Sequence, residues 1–159
     1  MLDTRDFTLH TGVRTFEAAA FLRRCGADIT RVRKMFRDDM ESYRAKAEAM
    51  RRAEVYREEY AIAQCPGDID SPTVLAAQTA NELLDISGIK ASFVLTVYEG
   101  KIYMSARSID EVNVQIIAEK LGGGGHINSA GAQFDHTNIE EAVNALKETI
   151  DKMIEEGDI

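Results

Sequence analysis

Four consecutive glycines, Gly122–Gly125, followed at once by His126, constrain this chain more than any other feature of it. Glycine loses more backbone entropy on folding than any other residue, so a run of four is retained only where backbone lies close to something or φ is positive. One glycine suffices to end a helix and turn the chain into a strand. The run follows a predicted helix rather than preceding one. It is therefore neither a P-loop nor a dinucleotide fingerprint, and it lies at the wrong end of the helix dipole for phosphate. The expectation is a loop over 122–125 with room for a flat group or with bare amides facing a ligand. Gly123, Gly124 and Gly125 then allow close approach, and His126 donates to a phosphate or stacks on a base. Ser129-Ala130-Gly131 beyond it adds further small residues.

The patterning around the run predicts an α/β fold: a mixed β-sheet with packed helices, preceded by an N-terminal helical linker. Thr15 caps a short helix that Gly26 stops, and Asp28 opens a second. Asp38 or Asp39 opens a third, running to about Arg57, with Met40, Tyr43, Ala47 and Met50 as its buried stripe. Beyond it the order is strand (60–64), helix (Pro72 to about Asp85), a hairpin (91–98 and 101–107) across Glu99-Gly100, helix (112–121), strand (130–134) and a final helix capped by Asn138. Hairpins mixed with helical crossovers imply a mixed sheet. The expected division is 1–57 and 58–159.

Charge divides at the same place. Residues 1–57 carry 13 Lys+Arg and 9 Asp+Glu, a net of +4; residues 58–159 carry 6 and 18, a net of −12. Long duplex nucleic acid is repelled by so acidic a body, and an anion bound there must be small and locally held. Eleven arginines lie in the first part and a single one, Arg107, in the second. A planar fork matched to phosphate makes Arg107 a candidate clamp; an ordinary strand ion pair is the alternative. Cys25 and Cys65 have no metal-type spacing, and with no apolar run of membrane length the chain reads as reduced and cytoplasmic.

Residues 105–114, SARSIDEVNV, form the second signal. A strand ends at Arg107 and a helix begins near Asn113, where free N–H groups favour an anion. Arg107, Ser108 and Asn113 then converge on one phosphate or base edge; simple helix capping by Ser108 or Asp110 is compatible with that. Asp3 is a lone carboxylate, and His10 and His136 read as surface residues. No Ser/His/Asp or Cys/His set offers itself. From its residues the chain is a binding domain without a complete catalytic apparatus.

The stretch SARSIDEVNVQIIAEKLGGGGHINSAGAQF resembles the signature of the DHH-associated domain, the C-terminal module of DHH-family phosphodiesterases: Arg-Ser at a strand end, a helix, a glycine run closed by His, then small residues. The N-terminal MLDTRDFTLHTGVRTFEAAAFLRRCGAD resembles the segment closing the catalytic DHH domain. The Leu-Asp-Thr, Thr-Gly-x-Arg-Thr-Phe and Asn-Val-Gln phrases are similar to those of GdpP/YybT-type cyclic-di-AMP phosphodiesterases. The resemblance implies that residues 1–57 are the edge of the catalytic domain plus a linker, and that 58–159 grip a cyclic or linear dinucleotide. It implies a two-manganese hydrolysis carried by the upstream DHH domain, with Asp3 as the last metal ligand and the other ligands outside this chain. The implied substrate-binding residues are Arg107, Ser108, Asn113, Gly123, Gly124, Gly125 and His126. The alternatives are the binding portion of a short-RNA oligoribonuclease, or a non-catalytic nucleotide-sensing or homodimerising module using the Met/Tyr stripe. The resemblance also implies a parent enzyme anchored in a membrane, with this portion on the cytoplasmic side.

Overall fold

A computed structural model describes residues 7, 11–109, 111–135 and 137–159. Asp3, His10, Asp110 and His136 lie outside the described residues. The chain divides into two compact units, residues 1–38 and 39–159.

The first unit holds helices α1 (Val13–Arg24) and α2 (Ile29–Lys34). Gly12, not Thr15, is the N-cap of α1; Thr15 sits one turn in, and its hydroxyl accepts from the Gly12 amide at 3.4 Å. Gly26, at φ +95°, ends the helix as expected. Asp28 caps α2 by accepting from the amides of Thr30 and Arg31. Neither helix buries a residue, and Val13, Phe16, Phe21, Leu22, Ile29 and Met35 are all exposed.

The second unit is a six-stranded mixed sheet between two helical layers. Its elements are α3 (Met40–Arg51), β1 (Glu54–Tyr56), β2 (Tyr60–Cys65), α4 (Pro72–Leu83), β3 (Ala91–Tyr98), β4 (Lys101–Ser108), α5 (Val114–Lys120), β5 (Gly124–His126), β6 (Ser129–Phe134) and α6 (Ile139–Glu156). The strand order is β1-β2-β3-β4-β6-β5. Only β2 and β3 are parallel, joined through α4; the other neighbours are antiparallel. The β3–β4 hairpin turns on Glu99 (φ +51°) and Gly100 (φ +75°), the pair of positive angles that suits a two-residue hairpin turn.

Strand alternation sorts the core into two layers. Tyr60, Ile62, Phe93, Leu95, Met104, Ala106, Ala130 and Ala132 pack under α5 and α6, against Val114, Ile117, Leu146 and Ile150. On the opposite face Ala61, Ala63, Cys65 and Val94 meet Ala49 of α3 and Leu75, Ala80 and Leu83 of α4. Burial pushes the Cys65 thiol pKa up.

Two expectations for α3 are corrected. It ends at Arg51 instead of reaching Arg57, and the chain turns back as β1, Glu54 opposite Ile62. Its inward residues are Ser42, Ala45, Lys46, Ala49 and, of the expected stripe, Met50, which packs against the core; Met40, Tyr43 and Ala47 are exposed. Close approach of a helix to the alanines of β2 selects small side chains. The stem of Lys46 is buried, and its Nζ reaches Glu82 of α4 at 2.6 Å.

Candidate functional site

The helices on the α3/α4 face cover β2 and β3 and overhang β4. Farther along, on β6 and β5, Ser129, Gln133 and His126 are exposed. In β4 the residues on that face (Tyr103, Ser105 and Arg107) are half-buried, and those between them are buried. The sheet thus has one half-face floored by β4, β6 and β5 and walled on one side by α4.

Cross-strand register decides what stands on that floor. Arg107 pairs with Ser129, and Ser129 pairs with His126, so the three form one row across three strands. Residues of one row share a face. Arg107 and His126 are two strand spacings apart, about 10 Å between backbones, a gap an arginine and an imidazole close around an anion of phosphate size. The Arg107 guanidinium also donates to the carbonyl of Ala106 at 2.8 Å. The next row is Ser105, Gly131 and Gly124, where a serine and two glycines leave the floor low.

The glycine run resolves into separate tasks. Gly122, at φ +81°, ends α5. Gly124 and Gly125 are not loop, as expected, but part of the edge strand β5. A Cβ on Gly123 would lie 2.1 Å from the Gly131 carbonyl oxygen, and one on Gly125 would lie 2.5 Å from Ala130 Cα. Those two glycines admit the neighbouring strand. At Gly124 a Cβ would meet nothing within 4 Å, and φ there is not positive. Nothing in the fold requires glycine at 124.

Ser108 and Asn113 stand on the other side of the sheet. Ser108 follows Arg107 by one residue, so alternation turns it away; its hydroxyl donates to the Ile127 carbonyl at 3.3 Å. Asn113 caps α5 by accepting from the Gln115 amide at 3.1 Å. The Val114 amide donates to the same Ile127 carbonyl at 3.0 Å. Together they strap the 127–128 turn, which carries His126 and Ser129 at its ends, to the start of α5. The sequence marks Ser129 only as a small residue; its place between Arg107 and His126 follows from the two-residue turn, which fixes the pairing of β5 with β6. Among the described residues no three His, Cys, Asp or Glu side chains form a metal-ligand set.

Comparison with known proteins agrees with this architecture. The DHHA1 domain matches residues 58–156. The chain is 44% identical over 160 residues to the cyclic-di-AMP phosphodiesterase GdpP of Geobacillus thermodenitrificans (strain NG80-2), covering 99% of this chain and 24% of that protein. It is 41% identical over 152 residues to the cyclic-di-AMP phosphodiesterase PdeA of Listeria monocytogenes serotype 1/2a (strain 10403S), covering 95% and 23%. It thus spans about a quarter of the length of these relatives. In fold it is similar to an exopolyphosphatase-related protein from Bacteroides fragilis, with a TM-score of 0.85 at 23% identity over 96% of this chain and 47% of that one. From the glycine run and the Arg-Ser strand end to the mixed sheet that holds them, the chain belongs to the DHHA1 domain family.

Proposed function

We propose that this chain is the substrate-gripping C-terminal portion of a phosphodiesterase acting on cyclic di-AMP or its linear dinucleotide. The observation that carries the reading is the row Arg107–Ser129–His126 on an uncovered half-face, beside a floor of Ser105, Gly131 and Gly124. The names of the relatives at 44% and 41% identity support the substrate class. Arg107 clamps one phosphate, His126 meets the same phosphate from the far strand, and Gly124 lets the ligand backbone approach. Ser108 acts through the 127–128 turn it holds, and Asn113 through the start of α5, whose Val114 amide holds the same turn. Residues 1–57 supply the edge of the catalytic domain and the link to it, with α3 and β1 at the end of that stretch packed into the sheet unit; the bared apolar residues of α1 and α2 face that upstream domain. Asp3 would be one ligand of a divalent ion, manganese by the family resemblance, held otherwise by the upstream domain, where it would supply Lewis-acid activation of water against the phosphodiester. The chain's own residues bind and orient the substrate.

Calorimetric titration with the linear dinucleotide pApA and with cyclic di-AMP tests the clamp. A charged hydrogen bond to phosphate is worth ~1.5–3 kcal/mol, so Arg107→Ala should weaken binding at least tenfold while leaving the melting temperature close to wild type. Equal affinity in the two proteins ends the assignment. Mn²⁺ added to the 159-residue chain should give no turnover, and a protein restoring the upstream domain should hydrolyse the substrate. Turnover by the chain alone would mean that the chemistry lies elsewhere.

A further inference from the structure

The floor of the half-face continues past the Arg107 row. Four residues back along β4, on the same face, stands Tyr103, opposite Thr96 of β3. Tyr98 lies two residues beyond Thr96 and so shares that face. Its ring is 6.1 Å from that of Tyr103 at an interplanar angle of 57°, and Tyr98 is 39% exposed. Between the tyrosines and the arginine lies the low row of Ser105, Gly131 and Gly124. The distance along β4 from Arg107 to Tyr103 is about 13 Å at strand rise. A cation at one end, bare backbone in the middle and an aromatic face at the other make a site for something longer than a phosphate and flat at one end.

We infer that Tyr103, backed by Tyr98, is a stacking platform for a purine base of the dinucleotide whose phosphate sits at Arg107 and His126. The inference rests on the phosphate reading above and adds a base subsite to it. Bases stack on aromatic side chains through a π-face that every purine has, so the contact sets length and base content rather than sequence. The competing use of the tyrosine pair, closing the end of the β3–β4 hairpin, predicts lost stability and no effect on ligands.

Titration of the 159-residue chain with pApA and with ribose 5-phosphate separates these. Tyr103→Leu keeps an apolar side chain and removes the π-face; it should weaken pApA five- to hundredfold and leave ribose 5-phosphate unchanged. Tyr103→Phe should bind pApA like wild type. The chain has no tryptophan, so wild-type tyrosine emission should be quenched by pApA and not by ribose 5-phosphate, a readout needing no variant. Unchanged pApA affinity in Tyr103→Leu, with Arg107→Ala still impaired, overturns the platform and leaves the phosphate clamp standing. So does equal weakening of both ligands, or pApA binding without quenching. No binding of either ligand by wild type ends both readings.

Discussion

Gly124 and Gly125 are neighbours in sequence with opposite demands on them. An alanine at 125 would drive its Cβ to 2.5 Å from Ala130 Cα, at a φ of +151°. Overpacking of this kind costs ~1–3 kcal/mol, so Gly125→Ala should lower the denaturation midpoint and loosen β5. Gly124→Ala meets open space and should change stability by less than about 0.5 kcal/mol. If the ligand uses that space, Gly124→Ala should nevertheless weaken dinucleotide binding; an alanine variant that binds like wild type would remove Gly124 from the site. Composition marks the run as costly but not which glycine serves the fold, because the crowding comes from β6, reached across an Ile127-Asn128 turn that lacks the usual glycine signal. Arg107 and His126 were legible as chemistry. Ser108 and Asn113, equally legible as candidates, are turned to the back by strand alternation and by the start of α5.

Among the elements, α5 is seven residues long and leans on its cap. Asn113→Ala should cost about 1 kcal/mol, seen as a lower urea midpoint; Asn113→Asp should recover most of it, since a carboxylate caps as well. A second device ties β1 to α6: Asp151 accepts from Tyr56 Oη at 2.8 Å and from Arg57 Nε at 2.9 Å. The Arg57 guanidinium, with Tyr56, holds the Asp151 carboxyl pKa below its ordinary value. A lowered carboxyl pKa contributes stability above the ordinary carboxylate range and loses it as pH falls through the lowered value. Asp151→Asn should therefore melt below wild type at pH 7, with the two curves converging in acid. Parallel curves down to the lowest pH would exclude this linkage. The sequence shows these three residues as surface charge and a stray tyrosine, and extends α3 through Tyr56 and Arg57 on helical propensity alone. Pairing of β1 with β2 overrides that propensity. The α3 stripe departs in part from its hydropathy pattern for a related reason: Met50 packs inward, but close helix-to-sheet packing favours Ala45 and Ala49 over Met40 and Tyr43.

At the scale of the molecule, most of the negative charge lies beyond residue 57, and the proposed ligand engages only one or two phosphates. Affinity for a dinucleotide should fall with a slope of about −1 to −2 in log–log salt titrations; a slope as steep as that of duplex binders would point to a polymeric substrate. The order of the helices and of four of the six strands could be read from periodicity and turn residues, and so could the mixed sheet; β1 and β5 could not. Which half-face stays uncovered could not, because it depends on α4 spanning β2 to β4 and no farther. That half-face ends on β5, three residues long and paired on one side only. Its amides, like those of the other three-residue edge strand β1, are among the first in the sheet to fray, since terminal strands open at the lowest free energy. An anion bridging His126 to Arg107 would staple this flap to the second strand inward. Substrate occupancy should thus be written into the protein's breathing, as slowed deuterium uptake at 124–126 with the central strands unmoved.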